Sequence, residues 1–336
     1  MDDKTLIHFH DALISHRDSL LDWINQEYPK KKLRLGGAKI KDVLNVVSEI
    51  QDALESIDDG GFGKCKECGG DIEIERLTLD FTTQVCLDHY SKDQIHALEN
   101  DLVLAAKVQK QLLPCCVPSL PDIEIAAYTE PASIVSGDYY DFFGYGSGAQ
   151  GIAIADVMGK GISASMLVSN LQASLRILGP EYENLNELAV HLNTLFCHNL
   201  KLIRFITIFL AKIDTQSRIF QYCNAGHNPV IRVHGSSGMV QLLNPTGPAI
   251  GLDNNVTYEM HELKYTLGDL FVFYTDGLVE ARNSANSEFG ENTLTEYIKA
   301  NYNMAADGFI EKLVESAKNY AGTFQDDVTL VVIKVK

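Results

Sequence analysis

The stretch Gly151-Ile-Ala-Ile-Ala-Asp156-Val-Met-Gly159-Lys160-Gly161 joins an apolar run to a carboxylate and a glycine-rich turn. The apolar run predicts a buried strand. The glycines predict a sharp turn at its end, because glycine adopts backbone angles that other residues avoid. A strand of this kind delivers Asp156 to the mouth of a site.

Acidic residues occupy three further positions of this kind. Asp138 follows Val-Ser-Gly, Asp276 lies in Tyr-Thr-Asp-Gly-Leu, and the pair Asp326 and Asp327 precedes an apolar run. If the fold gathers these strand ends, their oxygens suit a hard cation such as Mg²⁺ or Mn²⁺. One acidic residue at a strand end is commonly a turn former, but this succession of four favours a metal site.

The composition limits the class of protein. A chain of 336 residues with 46% hydrophobic residues fits two domains, or one large domain with an appendage. The net charge of −17 argues against nucleic acid or an anionic membrane as a partner, since clustered Lys and Arg bind both. Because the sequence has no run of about 18 apolar residues and no signal-peptide pattern at its start, we expect a cytoplasmic protein.

Residues 1–60 show apolar positions at helical spacing. The pattern predicts two helices joined near Gly36 and Gly37, and Asp-Asp-Gly-Gly at 58–61 is typical of the end of the second helix. The basic run Lys30-Lys31-Lys32 falls near the turn, and we interpret it as a solvated turn.

A compact metal site is predicted between residues 62 and 90. Cys65 and Cys68 form one ligand pair and Cys86 and His89 a second, each with a two-residue spacer. Two such pairs complete the tetrahedron that structural zinc prefers, and in a reducing compartment metal binding is favoured over disulfides. Asp88 or water could replace His89 in the shell. Because the segment is short and polar, we expect metal binding to supply its folding energy.

The same segment resembles a known zinc-finger region. The helical pair, Gly-Phe-Gly-Lys-Cys65-Lys-Glu-Cys68-Gly and Cys86-x-x-His89 are similar to the DksA/TraR family, which normally ends on a fourth Cys. The family binds RNA polymerase through acidic residues at the tip of a long coiled coil. Since this hairpin is short and its turn is basic, the resemblance implies a zinc fold without the transcriptional role, and we assign residues 1–90 a regulatory function.

A linker helix is predicted at 91–118. An apolar three-four alternation runs along it, with Gln109 at the expected sixth position, and Pro114 stops the helix. The alternating positions are Ile95, Leu98, Leu102, Ala105 and Leu112. The seam indicates either a dimeric coiled coil or a helix that lies on the following domain, and we favour a homodimer.

Residues 119–336 alternate strand-like and helical patterns. Strands are predicted at 123–128, 139–143, 151–156, 205–213, 219–223, 230–233, 270–274 and 328–335. Helices are predicted at 163–178, 184–200 and 293–320. Strands in clusters with helices in pairs indicate an α+β layered fold built on antiparallel sheets.

Five motifs in this region follow the order of a known family. They are Val135-Ser-Gly-Asp138-Tyr-Tyr-Asp-Phe, Ala155-Asp156-Val-Met-Gly-Lys-Gly161, Asn224-Ala-Gly-His-Asn-Pro229, Tyr274-Thr-Asp276-Gly-Leu-Val-Glu280-Ala and Asp326-Asp327-Val-Thr-Leu. They resemble the bacterial PPM (PP2C-type) serine/threonine phosphatases of the RsbU/SpoIIE group. The resemblance implies an αββα sandwich of two sheets with a two-metal site at one end.

The resemblance also implies roles for single residues. Asp156 is similar to the carboxylate that bridges the two Mn²⁺ or Mg²⁺ ions, and the carbonyl of Val157 is a second oxygen. Asp138 resembles a ligand of one ion, and Asp276 and Asp326 resemble ligands of the other. Asp327 stands where many relatives have Asn, so which residue of the pair touches metal stays open.

These residue types suit hydrolysis of a phosphate ester. Two cations about 3.5–4 Å apart lower the pKa of a shared water and hold a phosphate oxygen, so no protein nucleophile is needed. His227 is a candidate general acid, but its Asn-Ala-Gly-His-Asn-Pro context is typical of a turn, and we favour a structural role. Ser133 and Ser136 are interpreted as loop or cap residues, and Lys160 as a possible contact of the substrate phosphate.

The predicted function is that of a metal-dependent protein serine/threonine phosphatase. By resemblance, its substrate is a phosphorylated anti-anti-sigma-like (STAS) regulator, the zinc module and linker helix regulate it, and the helices at 163–200 couple the signal. The alternative is a zinc-dependent interaction protein whose phosphatase-like domain is only a binding platform.

Overall fold

The computed structural model describes residues 3–22, 44–79, 81–159, 161–199 and 205–336. These residues form two compact units, one up to Glu99 and one from Asn100 onward. Within the described ranges, no helix has the length and apolar character that a membrane span requires.

The first unit is helical. It contains α1 (Asp3–Asp22), α2 (44–58), α3 (Ile74–Leu79) and a 3₁₀ turn at Leu87–His89. Both predicted N-terminal helices are present, and α2 ends at residue 58, where Asp-Asp-Gly-Gly predicted its end. The predicted join at Gly36 and Gly37, with the basic run beside it, lies outside the described residues.

A single apolar core holds the first unit together. Helices α1 and α2 contribute to it, the cysteine-bearing loop contributes Phe62 and Ile72, and α3 contributes Leu77. The ring of Phe9 lies 5.4 Å from that of Phe62, between centroids. Apolar burial therefore helps to hold this segment, which its short and polar sequence did not predict.

Helix α4 (Lys92–Leu112) ends two residues before Pro114, as predicted. The predicted seam is largely open in a single chain, since Ile95 is 38% exposed and Leu98 is 46% exposed. Gln109 behaves differently from the seam because it is buried.

The second unit contains two antiparallel sheets of five strands each. One sheet has the order β1-β10-β9-β6-β7, and the other has the order β2-β3-β4-β5-β8. The strands are β1 (Ile123–Glu130), β2 (Asp138–Gly144), β3 (Gln150–Val157), β4 (Ile206–Asp214), β5 (Ile219–Ala225), β6 (Val230–Val233), β7 (Val240–Leu243), β8 (His261–Lys264), β9 (Leu270–Tyr274) and β10 (Val328–Val335).

Helices cover the outer face of each sheet. They are α5 (Ile162–Leu178), α6 (Leu185–Asn199), α7 (Asp276–Val279), α8 (Gly290–Asn301) and α9 (Ala306–Ala321). Helices α5 and α6 share a core with the sheet that contains β3. Helices α8 and α9 share a core with the sheet that contains β10. A third core lies between the sheets, which gives four layers in the order αββα.

Strand β3 explains why its sequence is an unbroken apolar run. Ile152 and Ile154 point into the core between the sheets, while Ala153 and Ala155 point into the core under the helices. Successive side chains of a strand point to opposite faces, so a strand covered on both faces needs apolar residues at every position. The stacked rings of Phe220 and Phe271, 4.5 Å apart between centroids, show how closely the two sheets pack.

Strand β10 lies between β1 and β9, second from one edge of its sheet. It pairs with β1, where Thr129 faces Thr329, and with β9, where Tyr274 faces Leu330. Because β9 and β10 are antiparallel, the residues that follow β9 and those that precede β10 meet at the same end of the strands. Asp276 and the pair Asp326 and Asp327 lie at this end.

Candidate metal centres

The acidic residues of the second sheet lie side by side. Asp138 opens β2 and Asp156 stands one residue before the end of β3, and the two are directly paired across the antiparallel ladder. Directly opposed residues of a ladder have Cβ atoms about 4.5–5.5 Å apart. The β2–β3 pairing therefore places two carboxylates at one end of this sheet.

The acidic residues of the sheet that contains β9 and β10 meet where β9 ends and β10 begins. Asp276 is the first residue of α7, directly after β9, and Asp326 and Asp327 precede β10. The Cα of Gly277 packs so closely on the Asp327 carbonyl that a Cβ at position 277 would overlap the carbonyl oxygen. This close approach explains why glycine follows Asp276.

Hydrogen bonds join the two halves across the gap between the sheets. The hydroxyl of Thr275 donates to Oδ2 of Asp138 over 2.7 Å, and itself accepts the N–H of Thr329 over 2.8 Å. Oδ1 and Oδ2 of Asp327 accept the N–H groups of Ala132 and Gly137, both over 2.7 Å. Both carboxylate oxygens of Asp327 thus fix the loop that leads into Asp138.

The cluster is strongly acidic and partly buried. Burial raises the pKa of Asp138 well above its usual range, and the charge of Asp156 raises it further. Burial, followed by the charges of Asp276 and Asp326, raises the pKa of Asp156 to about 7. A negative charge raises the pKa of a carboxyl group in this way only when it lies near that group. Asp276 and Asp326 therefore lie near Asp156, although they are far from it in the sequence.

The donor set fits a hard divalent cation. Carboxylate and backbone carbonyl oxygens are the ligands that Mg²⁺ and Mn²⁺ prefer, and a bound cation would favour the charged carboxylates that burial disfavours. The carbonyl oxygen of Val157 lies beside Gly137, the residue before Asp138. A Cβ built on Gly137 would stand 3.0 Å from that oxygen. Asp326 is partly exposed, and its Oδ1 accepts the N–H of Asp327 over 2.9 Å.

The other predicted site residues lie elsewhere or have other contacts. His227 is 3% exposed, and burial lowers the pKa of its ring to about 4, so the ring is neutral near pH 7. Its Nδ1 is 2.9 Å from the hydroxyl of Thr207, which supports a structural role. The hydroxyl of Ser136 accepts the N–H of Asp138 over 3.0 Å, in keeping with a cap role, and Ser133 is exposed. Lys160 lies outside the described residues.

The thiols of the first unit form a separate cluster. One ligand atom from each of Cys65, Cys68, Cys86 and His89 lies within 4.8 Å of the others. Among the residues that the structure describes, no other group of three or more His, Cys, Asp or Glu ligand atoms is this compact. The soft thiolates and imidazole suit a tetrahedral zinc ion.

Backbone hydrogen bonds change the pKa of a thiol in this cluster. Although burial opposes ionisation, backbone N–H groups of Cys86, Cys68 and Glu67 lower the pKa of the Cys65 thiol to about 6. Burial and the Cys65 thiol raise the pKa of Cys86 to about 11. The backbone thus favours the thiolate at Cys65, and thiolate is the form that binds zinc.

Sequence patterns did not reveal three residues of the acidic site. Thr275 bonds directly to Asp138, and Glu280 has its pKa raised by burial and then by Asp276. Gln109 bonds to the backbone of Ser136 from helix α4. Thr275 and Glu280 stand within the motif that contains Asp276, which was the available signal. For Gln109 the signal was an amide within an otherwise apolar seam.

Comparison with known proteins gives a consistent result. Residues 146–336 match the family model of stage II sporulation protein E (SpoIIE), which covers more than half of the chain. Protein IcfG of Synechocystis is 29% identical in an alignment of 270 residues that covers 72% of this chain and 42% of the relative. Phosphoserine phosphatase RsbU of Bacillus subtilis is 28% identical in an alignment of 268 residues that covers 77% of this chain and 79% of the relative. The chain thus spans less than half the length of IcfG.

Solved structures share the fold. The SiaA-PP2C domain of Pseudomonas aeruginosa superposes with a TM-score of 0.63 at 18% identity, over 72% of this chain and 98% of that domain. RsbX, solved in complex with magnesium, superposes with a TM-score of 0.51 at 20% identity, over 66% of this chain and 99% of the other. The two antiparallel sheets with their helices are therefore the PP2C-like phosphatase fold.

Proposed function

This chain belongs to the SpoIIE family, and from that premise we propose that it is a metal-dependent phosphatase that removes phosphate from serine or threonine of a partner protein. The observation that carries the proposal is the convergence of Asp138, Asp156, Asp276 and Asp326 at one end of the two sheets. Burial and the charges of Asp276 and Asp326 raise the pKa of Asp156 to about 7, which supports a site where cations neutralise these carboxylates.

We assign the ligands as follows. Asp156 would serve both ions, with the Val157 carbonyl as a second oxygen ligand, while Asp138 would hold one ion and Asp276 and Asp326 the other. Asp327 supports the site and would not bind an ion, because both of its oxygens already accept N–H groups from the loop before Asp138. When bound, two Mn²⁺ or Mg²⁺ ions would lower the pKa of a water molecule and neutralise charge on the phosphoryl group.

The protein's own residues hold the site in place. The Thr275 hydroxyl orients one oxygen of Asp138. The Asp327 carboxylate anchors the loop that precedes Asp138. A neutral His227 braces Thr207, which stands opposite Asp156 in the neighbouring strand. These contacts hold Asp138 and the loop before it without a cation, which supports the preorganisation that catalysis by charge stabilisation requires.

The test is hydrolysis of p-nitrophenyl phosphate in the presence of Mn²⁺. We expect activity from the full-length chain and its loss in the Asp156→Ala and Asp276→Ala proteins. Asp307→Ala removes an exposed carboxylate from the first turn of α9 and is the matched control. Retained turnover in Asp156→Ala would refute the proposal. An inert wild-type chain that still forms a stable protein complex would favour the alternative of a binding platform.

We further propose that the substrate is a phosphorylated STAS-like regulator of the anti-anti-sigma type. Support comes from the relative named phosphoserine phosphatase RsbU and from the motif order shared with its group. An Asp156→Ala protein that binds substrate without hydrolysing it should capture the phosphorylated regulator from extracts of the native cell. Capture of the unphosphorylated form alone would contradict this assignment.

The N-terminal unit is proposed as a regulatory zinc module of the DksA/TraR type, with residues 1–90 as the module, 91–118 as the linker and 119–336 as the phosphatase domain. The compact set of Cys65, Cys68, Cys86 and His89 supports zinc. The exposed seam of α4 supports a homodimer through the linker, and the net charge of −17 gives no support for nucleic acid or a membrane as a partner. We place the protein in the cytoplasm, where thiols stay reduced.

A further inference from the structure

Within α4, which the structure describes throughout, Gln109 is the one buried residue. It is 8% exposed, whereas the preceding Val108 is 49% exposed and the following residues Lys110 and Gln111 are also exposed. Burying an amide is unfavourable unless its donor and acceptor are both satisfied. A glutamine in this position therefore indicates a specific contact and not general packing.

Both polar atoms of the Gln109 side chain bind the same backbone residue. Its Nε2 donates to the carbonyl oxygen of Ser136 over 2.6 Å, and its Oε1 accepts the N–H of Ser136 over 2.9 Å. This is the pairing that a neighbouring strand would provide in an antiparallel ladder. The amide thus fixes both the position and the orientation of one residue in the loop before β2.

The segment that Gln109 holds leads directly into the acidic site. The Ser136 hydroxyl accepts the N–H of Asp138 over 3.0 Å, and the N–H of Gly137 donates to Asp327 over 2.7 Å. The carbonyl of Gly137 accepts the N–H of Val157 over 3.1 Å. Residues 136–138 are therefore tied to α4, to the residue before β10 and to the end of β3, all at one point.

The end of α4 has a second attachment to the same unit. The guanidinium of Arg176 donates to the carbonyl of Leu112, the last residue of α4, over 3.3 Å. The same guanidinium donates through Nε to the buried carboxylate of Asp141 in β2, over 3.0 Å. The last turn of α4 is thereby fixed to the strand that Asp138 opens.

We infer that Gln109 is a positioning residue for divalent-cation binding, which holds residues 136–138 in the shape that presents Asp138 and the Val157 carbonyl to the cation. The inference rests on the proposed function. It makes the position of the linker helix a determinant of metal affinity, because the helix reaches the ligands through one side chain. Gln109 itself touches neither substrate nor metal.

The test compares full-length wild type with Gln109→Met, which keeps the length of the side chain and removes the amide. Gln111→Ala, an exposed glutamine on the same helix, is the matched control. Mn²⁺ binding is measured by calorimetry without substrate, and hydrogen–deuterium exchange of residues 131–139 is measured without metal. We expect Gln109→Met to bind Mn²⁺ about tenfold more weakly and to exchange faster in this segment, since two hydrogen bonds are lost. We expect Gln111→Ala to behave as wild type.

A rescue experiment separates positioning from packing. Excess Mn²⁺ should restore the kcat of Gln109→Met on p-nitrophenyl phosphate, because the ligands themselves are intact. Wild-type Mn²⁺ affinity in Gln109→Met would overturn the inference, as would a loss of kcat that excess Mn²⁺ does not restore. A wild-type chain that binds no Mn²⁺ at the acidic site would instead remove the proposed function, and the inference with it.

Discussion

The hydroxyl of Thr275, directly after β9, donates a 2.7 Å hydrogen bond to Oδ2 of Asp138, the first residue of β2 in the other sheet. The same hydroxyl accepts the N–H of Thr329. One side chain therefore connects the two sheets at the acidic site. Its removal should affect both the stability of the fold and the order of a metal ligand.

We predict that Thr275→Val destabilises the protein by about 1–3 kcal/mol, because the buried carboxylate of Asp138 and the N–H of Thr329 both lose a partner. Urea denaturation measures the change in the free energy of unfolding. Thr275→Ser keeps the hydroxyl and is the control. Equal stability of the Val and Ser variants would show that the hydrogen bond has no net effect.

Asp156→Asn should stabilise the metal-free protein while it weakens metal binding. Burial and the neighbouring carboxylates raise the pKa of Asp156 to about 7, so its charge is unfavourable in the fold until a cation neutralises it. Differential scanning calorimetry without metal should show a rise of roughly 2–4 °C for each kcal/mol of repulsion removed. The stabilisation that Mn²⁺ gives the wild type should be absent. Asp307→Asn, on the surface, should change neither quantity.

His227 should make the protein sensitive to acid. Burial lowers the pKa of its ring from 6.5 to about 4, so between these values the unfolded chain binds a proton that the folded chain does not. Stability from this residue is therefore complete above about pH 6.5 and falls as the pH drops to about 4, by up to about 3 kcal/mol. In His227→Gln the slope of unfolding free energy against pH should be shallower over this range. His261→Gln, at an exposed position, should leave the slope as in wild type.

The thiol cluster should bind one zinc ion per chain. Cys86→Ser should abolish zinc binding, measured by atomic absorption, because the shell loses a buried thiolate. His89→Ala should retain zinc but release it faster to a chelator, whereas His96→Ala, on the exposed surface of α4, should release it as wild type does. Unchanged release from His89→Ala would show that Asp88 or water is the fourth ligand.

Leu98→Glu should dissociate the proposed dimer. Leu98 is 46% exposed in the single chain, and a charge at this seam position would be buried in a paired helix. Sedimentation velocity should show a dimer for wild type and a monomer for Leu98→Glu. Glu99→Lys changes the neighbouring residue outside the seam and should remain a dimer. A wild-type monomer at micromolar concentration would refute dimerisation through α4.

The sequence predicted those elements whose burial produces a clear pattern. Strand β3 is buried on both faces, so its apolar run and its terminal Asp156 were both visible. Strands β7 and β8 were missed because they are mostly exposed and carry no apolar alternation. The helical pattern over 293–320 is two helices, Gly290–Asn301 and Ala306–Ala321, and the break between them has no Gly or Pro to reveal it.

Contacts between distant residues left no local pattern. The positions of Asp138, Asp156, Asp276 and Asp326 could be found because each lies at or beside the end of a strand in a recognisable motif. Their supporting contacts could not, since Thr275 and Asp138 are 137 residues apart and Asp327 and Gly137 are 190 apart. Gln109 was placed in the helix seam, and only the three-dimensional arrangement shows that its amide binds Ser136.

The position of β10 between β1 and β9 has a consequence for biosynthesis. Among the described strands, β1 pairs with β10 alone, and their facing residues Thr129 and Thr329 are 200 positions apart. As a ribosome makes the chain, β1 emerges long before its partner exists, and pairing over such a separation is slow. We expect the newly made polypeptide to stay incompletely folded, and its acidic centre to remain unassembled, until residues 328–335 have left the ribosome.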